Sequence, residues 1–230
     1  FAYTELLDKI TSSIINKNIL TISYSNFGII NRAYKDKVFN KTLKSFKILT
    51  SDGIGVYFAS RYLYGRNGLK TIIKGTDLYY KILSFANINH FKMFFYGGDD
   101  KSQIMLKNSL NKSYPQIDVQ GIYSKNENEQ SVVNNILTTS TDILFVGLGT
   151  SIQEQFIEKY SNKLKVPVII AVGSGIDFIS GYMKRAPKWM LKLQLEWLFR
   201  LFYEPGRLWK RYLLGIPLFV FRVLIFKFKK

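Results

Sequence analysis

Three short apolar segments, each closed by a pair of glycines, constrain the fold of this chain more than any other feature. They span residues 91–96, 142–146 and 167–172 and lead into Gly97-Gly98, Gly147-Leu148-Gly149 and Gly173-Ser174-Gly175. Short apolar segments bounded by glycine turns are typical of buried strands, and helical patterns lie between them. Strands that alternate with helices in this way predict a largely parallel sheet flanked by helices, a Rossmann-like α/β fold.

The pattern changes near Gly181, where we expect a boundary. Residues 1–181 form the predicted α/β core, and residues 182–230, which show only helical periodicity, form a predicted all-helical basic appendage. Charged residues recur at every fourth position after Pro187, namely Lys188, Lys192, Glu196, Arg200 and Glu204. This spacing predicts one long helix with a narrow polar stripe, ended by Pro205-Gly206.

The charge of the chain is concentrated in the appendage. The formal charge is +17, and the segment from Lys184 to Lys230 carries 12 Lys and Arg residues against two Glu residues, a net +10. A basic field of this size implies an anionic partner, which is nucleic acid, anionic lipid or a phosphorylated substrate.

The aromatic residues of the appendage favour a membrane surface among these partners. Between residues 212 and 226 they are mixed with Leu, Ile and Val rather than isolated as base-stacking platforms. This apolar run is shorter than the roughly 20 residues that span a bilayer. We therefore expect no nucleic-acid partner, and a peripheral contact with an anionic membrane surface. The expected contact residues are Trp209, Phe219, Phe221, Phe226, Arg222, Lys227, Lys229 and Lys230.

The turn at residues 48–56 supplies a candidate for the reacting group. It reads Ile-Leu-Thr-Ser-Asp-Gly-Ile-Gly-Val, the end of a buried strand followed by an apolar helix. Asp52 therefore lies beside unpaired helix amides at the carboxyl end of a strand, where open α/β sheets bind ligands. Because Asp also commonly caps helices, the residues alone leave two interpretations open, a reacting carboxylate and a helix cap.

The glycine pairs form a second candidate feature. Each can present backbone amides to a phosphate at a helix start, although each alone is also an ordinary tight turn. Together on one sheet edge they predict a cradle for a diphosphate. Gln153 and Glu154 lie one turn into the helix after Gly149. They either reach a ligand there or form a capping arrangement with Thr150 or Ser151.

Metal ligands are scarce in the sequence. It has no Cys, a single His (His90), no Asp-x-Asp pair and no Walker A motif. We therefore predict no metal and no cofactor, with phosphate charge neutralised by backbone amides and basic side chains. The candidate basic residues are Arg185, Arg200, Arg207, Lys210 and Arg211.

Several of these motifs, in this order, resemble the WecG/TagA/CpsF family, the N-acetylmannosaminyltransferase-type glycosyltransferases of family 26. The matching stretches are Asn26, Asp52-Gly53-Ile54-Gly55, Gly75-Thr76-Asp77-Leu78, Phe95-Tyr96-Gly97-Gly98, Val146-Gly147-Leu148-Gly149, Gln153-Glu154, Arg185-Ala186-Pro187, Glu196-Trp197-Leu198-Phe199-Arg200-Leu201 and Glu204-Pro205-x-Arg207. The chain departs from the family pattern at Tyr24, where Thr is usual, and at Ser151-Ile152, where Pro-Lys is usual.

The resemblance implies a metal-independent, inverting glycosyltransferase that uses a UDP-sugar donor and a polyprenyl-diphosphate-linked acceptor. It implies that the product belongs to teichoic acid or surface polysaccharide and that the enzyme works on the cytoplasmic face of the bacterial plasma membrane. Asp52 matches the catalytic base. The expected substrate-binding residues, from the resemblance and the motifs together, are Asn26, Gly75, Thr76, Asp77, Gly97, Gly98, Gly147, Gly149, Gln153, Glu154, Arg185, Arg200, Arg207 and Arg211.

Two other functions stay open on the sequence alone. One is a basic nucleic-acid-binding protein, and the other is a catalytically inactive scaffold on a membrane surface. The sequence also leaves open the donor sugar, the acceptor sugar and whether the chain forms a homo-oligomer.

Overall fold

The computed structural model describes residues 2–228, except for the side chain of Arg207. At its centre lies a six-stranded sheet with the order β2-β1-β6-β5-β3-β4, in which every neighbouring pair is parallel. This arrangement confirms the predicted Rossmann-like α/β fold. The strands are β1 Leu20–Ser25, β2 Ile48–Ser51, β3 Lys92–Gly97, β4 Asp118–Tyr123, β5 Ile143–Gly147 and β6 Val168–Ala171.

Helices cover both faces of the sheet, because the central strands are apolar on both sides. Phe95 and Phe145 point into one core, and Phe94 and Leu144 point into the other, as the alternation of side chains along a strand requires. Helices α1, α5, α6 and α9 close the first core, and α7 and α8 close the second. The helices that precede residue 182 are α1 Tyr3–Ile15, α2 Phe27–Lys35, α3 Lys37–Ser45, α4 Ile54–Tyr64, α5 Gly75–Ile88, α6 Asp100–Ser113, α7 Glu129–Leu137, α8 Ile152–Leu164 and α9 Gly175–Ser180.

The register of β1 and β2 places two predicted site residues side by side. Ser25 is paired with Ser51, and the residues that follow them are Asn26 and Asp52. The backbone N–H of Asp52 donates to the carbonyl oxygen of Ser25 over 2.8 Å, which extends the ladder by one residue. The two side chains therefore leave adjacent strands at the same level of the carboxyl edge.

The segment beyond Gly181 is helical, but it does not contain the long helix predicted from Pro187 to Glu204. That prediction was wrong because Gln194 has a φ of +61°, in the left-handed region, which ends one helix before the next begins. The elements are α10 Lys188–Lys192, α11 Glu196–Tyr203, α12 Pro205–Trp209, a π-helical turn at Lys210–Leu214 and α13 Gly215–Phe228. The charged residues at every fourth position consequently do not share one face.

Helix α13 packs on α2 and α4, and a polar clamp holds it there. Arg222 Nη1 donates to both the backbone oxygen (3.0 Å) and Oδ1 (2.8 Å) of Asn31, and Asn31 Nδ2 donates to the carbonyl oxygen of Gly215 (2.7 Å). Phe219, which belongs to α13, is buried. Phe219 and Arg222 therefore contact this protein rather than the membrane expected from the sequence. Lys229 and Lys230, also expected there, lie outside the described residues.

Across the described part of the chain, none of the helices combines the length and the apolar character that crossing a bilayer requires.

Candidate active site

A cavity lies outside the carboxyl ends of β1, β2, β5 and β6, where open α/β sheets bind their ligands. The sheet side is lined by residues that follow these strands or begin α5, and the opposite side is lined by the helical segment beyond Gly181. The residues that line the cavity include Tyr24, Asn26, Phe27, Asp52, Lys74, Gly75, Thr76, Gly149, Thr150, Gly173, Ser174, Gly175, Gln194, Glu196, Trp197, Arg200, Arg211 and Tyr212.

Asp52 faces this cavity and does not cap the helix that follows it. The N-cap of α4 is Gly53, whose φ of +95° suits glycine, and none of the described side chains caps the first amides of this helix. Asp52 Oδ1 instead accepts a hydrogen bond from the backbone N–H of Gly75 over 3.3 Å. The helix-cap interpretation is therefore wrong for α4, and the carboxylate is held between two helix starts.

The surroundings of Asp52 raise its pKa above the ordinary value for aspartate. Burial is the main cause, because it disfavours the charged form. The hydrogen bond from Gly75 and the positive charges of Arg200, Arg211 and Lys74 act in the opposite direction. A carboxylate with a raised pKa accepts a proton more readily, which suits a general base.

Two arginines enter the cavity from the C-terminal helices with incomplete hydrogen bonding. Arg200 Nη2 lies 3.4 Å from Ser174 Oγ, and Arg211 Nη2 donates to Asn26 Oδ1 over 3.2 Å. The Nε atom of each arginine is buried and has no hydrogen-bond partner among the described residues. A buried donor without a partner is costly, so both guanidinium groups favour an anionic ligand that supplies acceptors.

The structure places six of the fourteen predicted binding residues in the cavity with Asp52. Asn26, Gly75, Thr76, Gly149, Arg200 and Arg211 line the cavity. Arg185 and Asp77 form an ion pair of 2.5 Å and are not among the residues that line the cavity. Gly98 and Gly147 pack against Ile176 of α9, and Gly97 packs against the backbone of Gly147. The binding role of these glycines stays a prediction, as does that of Arg207, whose side chain is not described.

The chain matches a known protein family along its whole length. The profile described as "Glycosyl transferase WecG/TagA/CpsF family" matches residues 1–230. This chain belongs to the WecG/TagA/CpsF family of glycosyltransferases.

Two relatives illustrate how close the similarity is. An N-acetylglucosaminyldiphosphoundecaprenol N-acetyl-β-D-mannosaminyltransferase of Bacillus subtilis (strain 168) is 34% identical over 224 residues, which cover 96% of this chain and 86% of the relative. A protein of the same name from Staphylococcus aureus (strain NCTC 8325 / PS 47) is 29% identical over 224 residues, which cover 95% of this chain and 86% of the relative.

In this glycosyltransferase, Gln153 and Glu154 lie beneath the cavity rather than on its wall. Both side chains are fully buried. Gln153 Oε1 accepts from the backbone N–H of Gly173 (2.9 Å), and its Nε2 donates to Glu154 Oε1 (2.7 Å). Glu154 Oε2 accepts from the N–H of Ser151 (2.7 Å), and burial raises the pKa of Glu154. The Ser151 bond is the capping arrangement, and the Gly173 bond holds the loop after β6. Direct contact of Gln153 and Glu154 with substrate stays a prediction.

We expect Gln153→Ala to lower the free energy of unfolding by about 1–3 kcal/mol, because it leaves the buried N–H of Gly173 without an acceptor. Urea unfolding of the two proteins measures this difference. As a matched control, Gln130→Ala removes a glutamine whose only described bond is to Asn134 on the surface, and it should leave stability within about 0.5 kcal/mol. Unchanged stability of Gln153→Ala with a weakened substrate affinity would instead favour direct contact with substrate.

Sequence reasoning missed several cavity residues of the WecG/TagA/CpsF chain. They are the aromatic residues Tyr24, Phe27, Trp197 and Tyr212, the amide Gln194 and the charged residues Lys74 and Glu196. Tyr24 departs from the family pattern, and Glu196-Trp197 belongs to a matching stretch, so both carried a signal. Phe27 and Tyr212 carried none, because their rings meet at 5.7 Å only once α2 and the π-helical turn pack together.

Proposed function

We propose that this glycosyltransferase moves an N-acetylmannosamine-like sugar from a UDP-sugar to a sugar linked to polyprenyl diphosphate. The relatives' names give this acceptor type and this transferred sugar for those proteins. The product would enter teichoic acid or another surface polysaccharide. The observation that carries the proposal is one cavity that combines a carboxylate of raised pKa with two under-bonded arginines.

The proposed chemistry is a single displacement at the anomeric carbon. A hydroxyl oxygen of the acceptor attacks this carbon while the bond from the carbon to the diphosphate oxygen breaks, and its electron pair leaves with UDP. Asp52 takes the proton of the attacking hydroxyl. Attack from the face opposite the leaving group inverts the anomeric configuration.

The donor diphosphate fits the loops that follow β5 and β6. Gly149, which is partly exposed, borders the cavity there together with the buried Gly173 and Gly175, and Ser174 lies beside the guanidinium group of Arg200. Backbone amides and an arginine together can stabilise the charge that develops on the departing UDP. Arg211, which bonds to Asn26 in the cavity, is the proposed contact of the acceptor diphosphate.

The C-terminal segment, residues 182–230, is proposed to hold the enzyme on the cytoplasmic face of the membrane. Helix α13 and the turn before it expose apolar side chains at a helical spacing, namely Leu214, Phe221, Leu224 and Phe228. Basic residues that could meet anionic lipid lie in the same segment. A polyprenyl diphosphate is presented at the lipid headgroups, so this location brings the cavity to its acceptor.

The reaction itself is the direct test. The full chain is incubated with UDP-N-acetylmannosamine and a lipid-diphosphate-linked N-acetylglucosamine, and UDP release is measured with product analysis by mass spectrometry. Turnover that needs both substrates supports the proposal. Thermal stabilisation by oligonucleotides but not by UDP would favour the nucleic-acid-binding alternative.

We expect EDTA to leave the rate of this reaction unchanged. The sequence lacks the Asp-x-Asp pair that commonly bridges a metal to a nucleotide diphosphate, and Arg200 and Arg211 are placed to neutralise phosphate instead. The measurement compares initial rates after dialysis against EDTA with and without added Mg²⁺ or Mn²⁺. A large loss that either ion restores would contradict this expectation.

A further inference from the structure

Glu196 is a carboxylate in the cavity that the mechanism above does not use. It is the first residue of α11, two positions after the left-handed turn at Gln194. Its side chain is 22% exposed and lines the same cavity as Asp52. The break at Gln194 is what turns this part of the C-terminal segment toward the sheet.

The carboxylate of Glu196 lacks the partners that a largely buried charge needs. Its nearest cation is Arg185, whose Nε lies 3.8 Å from Glu196 Oε1, too far for a hydrogen bond. The Nη2 atom of that arginine is already bound to Asp77 over 2.5 Å. Burial raises the pKa of Glu196, and the positive charge of Arg185 opposes this rise. None of the described residues donates a hydrogen bond to its oxygens, and these oxygens are not among the fully buried polar atoms, so they are open to donors from a ligand.

Two contacts place Glu196 on the Asp52 side of the cavity. Lys74 Nζ donates to the carbonyl oxygen of Leu191 (3.1 Å), which ties the segment before Glu196 to the start of α5. Asp52 is bonded to the same helix start through Gly75. The negative charge of Asp52 also acts on Glu196 and raises its pKa. Arg200, one turn further along α11, instead reaches Ser174 on the β6 side.

We propose that Glu196 binds hydroxyl groups of the acceptor sugar and so helps to select that sugar. The inference rests on the proposed function. A general base at Asp52 must contact the attacking hydroxyl, so the ring that bears this hydroxyl lies on the Asp52 side. The other hydroxyls of the ring are hydrogen-bond donors, and an ionised carboxylate accepts only. Gln194 and Trp197 border the same region with an amide and an aromatic surface.

The test combines a variant with altered substrates. Glu196→Gln is compared with the unchanged chain on the lipid-linked acceptor and on analogues that each lack one hydroxyl other than the attacking one. We expect Glu196→Gln to lower kcat/KM for the complete acceptor about ten- to a hundredfold, since hydrogen bonds to charged groups are lost. One analogue should show a similar loss with the unchanged chain and little further loss with the variant. The affinity for UDP, measured by calorimetry, should stay the same.

The control is Glu129→Gln, because Glu129 lies on α7 and pairs with Lys159 at the surface. It should leave kcat/KM for every acceptor unchanged. The inference would be overturned if Glu196→Gln lowered kcat/KM by the same factor for the complete acceptor and for every analogue. That result is expected of a residue that only holds Arg185 in place, because its loss affects all acceptors equally. If the unchanged chain shows no turnover, the proposed function fails and the inference fails with it. If the unchanged chain is active but the losses are equal for all acceptors, only the inference fails.

Discussion

Asp52→Asn lowers turnover by about 10²–10⁴-fold while the fold is kept, which is the largest single-residue effect that we expect. The variant cannot accept the proton of the attacking hydroxyl. The amide oxygen of Asn can still accept the N–H of Gly75, so the two helix starts remain joined. Initial rates with saturating substrates, together with circular dichroism and thermal unfolding, measure both parts of the expectation.

A matched control comes from the same edge of the sheet. Asp99 follows β3 and accepts the N–H of Ser102 over 2.8 Å as the N-cap of α6. Because Asn caps helices as well as Asp does, Asp99→Asn should keep both activity and stability. Near-normal turnover of Asp52→Asn would show that Asp52 is not the general base.

The pH dependence of kcat/KM checks the same assignment. The base must be ionised, so activity falls as the pH drops through the pKa of Asp52. Burial raises that pKa, which places the acidic limb above the range of an ordinary aspartate. Arg200→Gln removes a positive charge that lowers the pKa of Asp52, and the limb should therefore move to higher pH. An acidic limb that stays in place in Arg200→Gln would contradict this coupling.

Truncation after Tyr203 should abolish turnover of the lipid-linked acceptor. It removes Arg211 and Tyr212 from the cavity and the whole of α13 from α2 and α4. We expect the loss of liposome binding at the same time, while UDP still binds weakly to the sheet edge. Basic residues near an anionic leaflet contribute about 1 kcal/mol each, so the segment can supply a few kcal/mol of reversible binding. Flotation with vesicles of defined anionic lipid content measures binding.

A triple substitution in the full-length chain separates membrane binding from folding. The side chains of Phe221, Leu224 and Phe228 are 60%, 40% and 85% exposed, so replacing all three by Ser should weaken vesicle binding and leave stability nearly unchanged. Ile88→Ser is the control, because this 71% exposed residue ends α5, far along the chain from the C-terminal segment. Vesicle binding that persists in the triple variant, or that ignores salt and anionic lipid, would contradict a membrane role for this surface.

Local patterns were sufficient to predict the α/β core and the position of Asp52. Strand Ile143–Gly147 and its glycine turn are visible in sequence because burial on both faces demands a continuous apolar run. The turn that carries Asp52 is equally local, since it needs only a strand end, a glycine and a helix start. A Rossmann-like sheet then places such turns on one edge without further information.

The roles of other residues depended on contacts between distant parts of the chain. For Glu154 the sequence left a ligand contact and a capping arrangement open, and the structure shows the cap on Ser151 together with a buried bond to Ser23, 131 residues away. Arg222 looked like a membrane anchor, but its bonds run to Asn31. The periodicity beyond Pro187 could not reveal the left-handed turn at Gln194, because a four-residue charge spacing is compatible with a continuous helix. Sequence therefore determined which segments form the sheet and its turns. Only tertiary packing decided which side chains of the C-terminal helices face the cavity, because that depends on how separate elements pack together and not on local propensity.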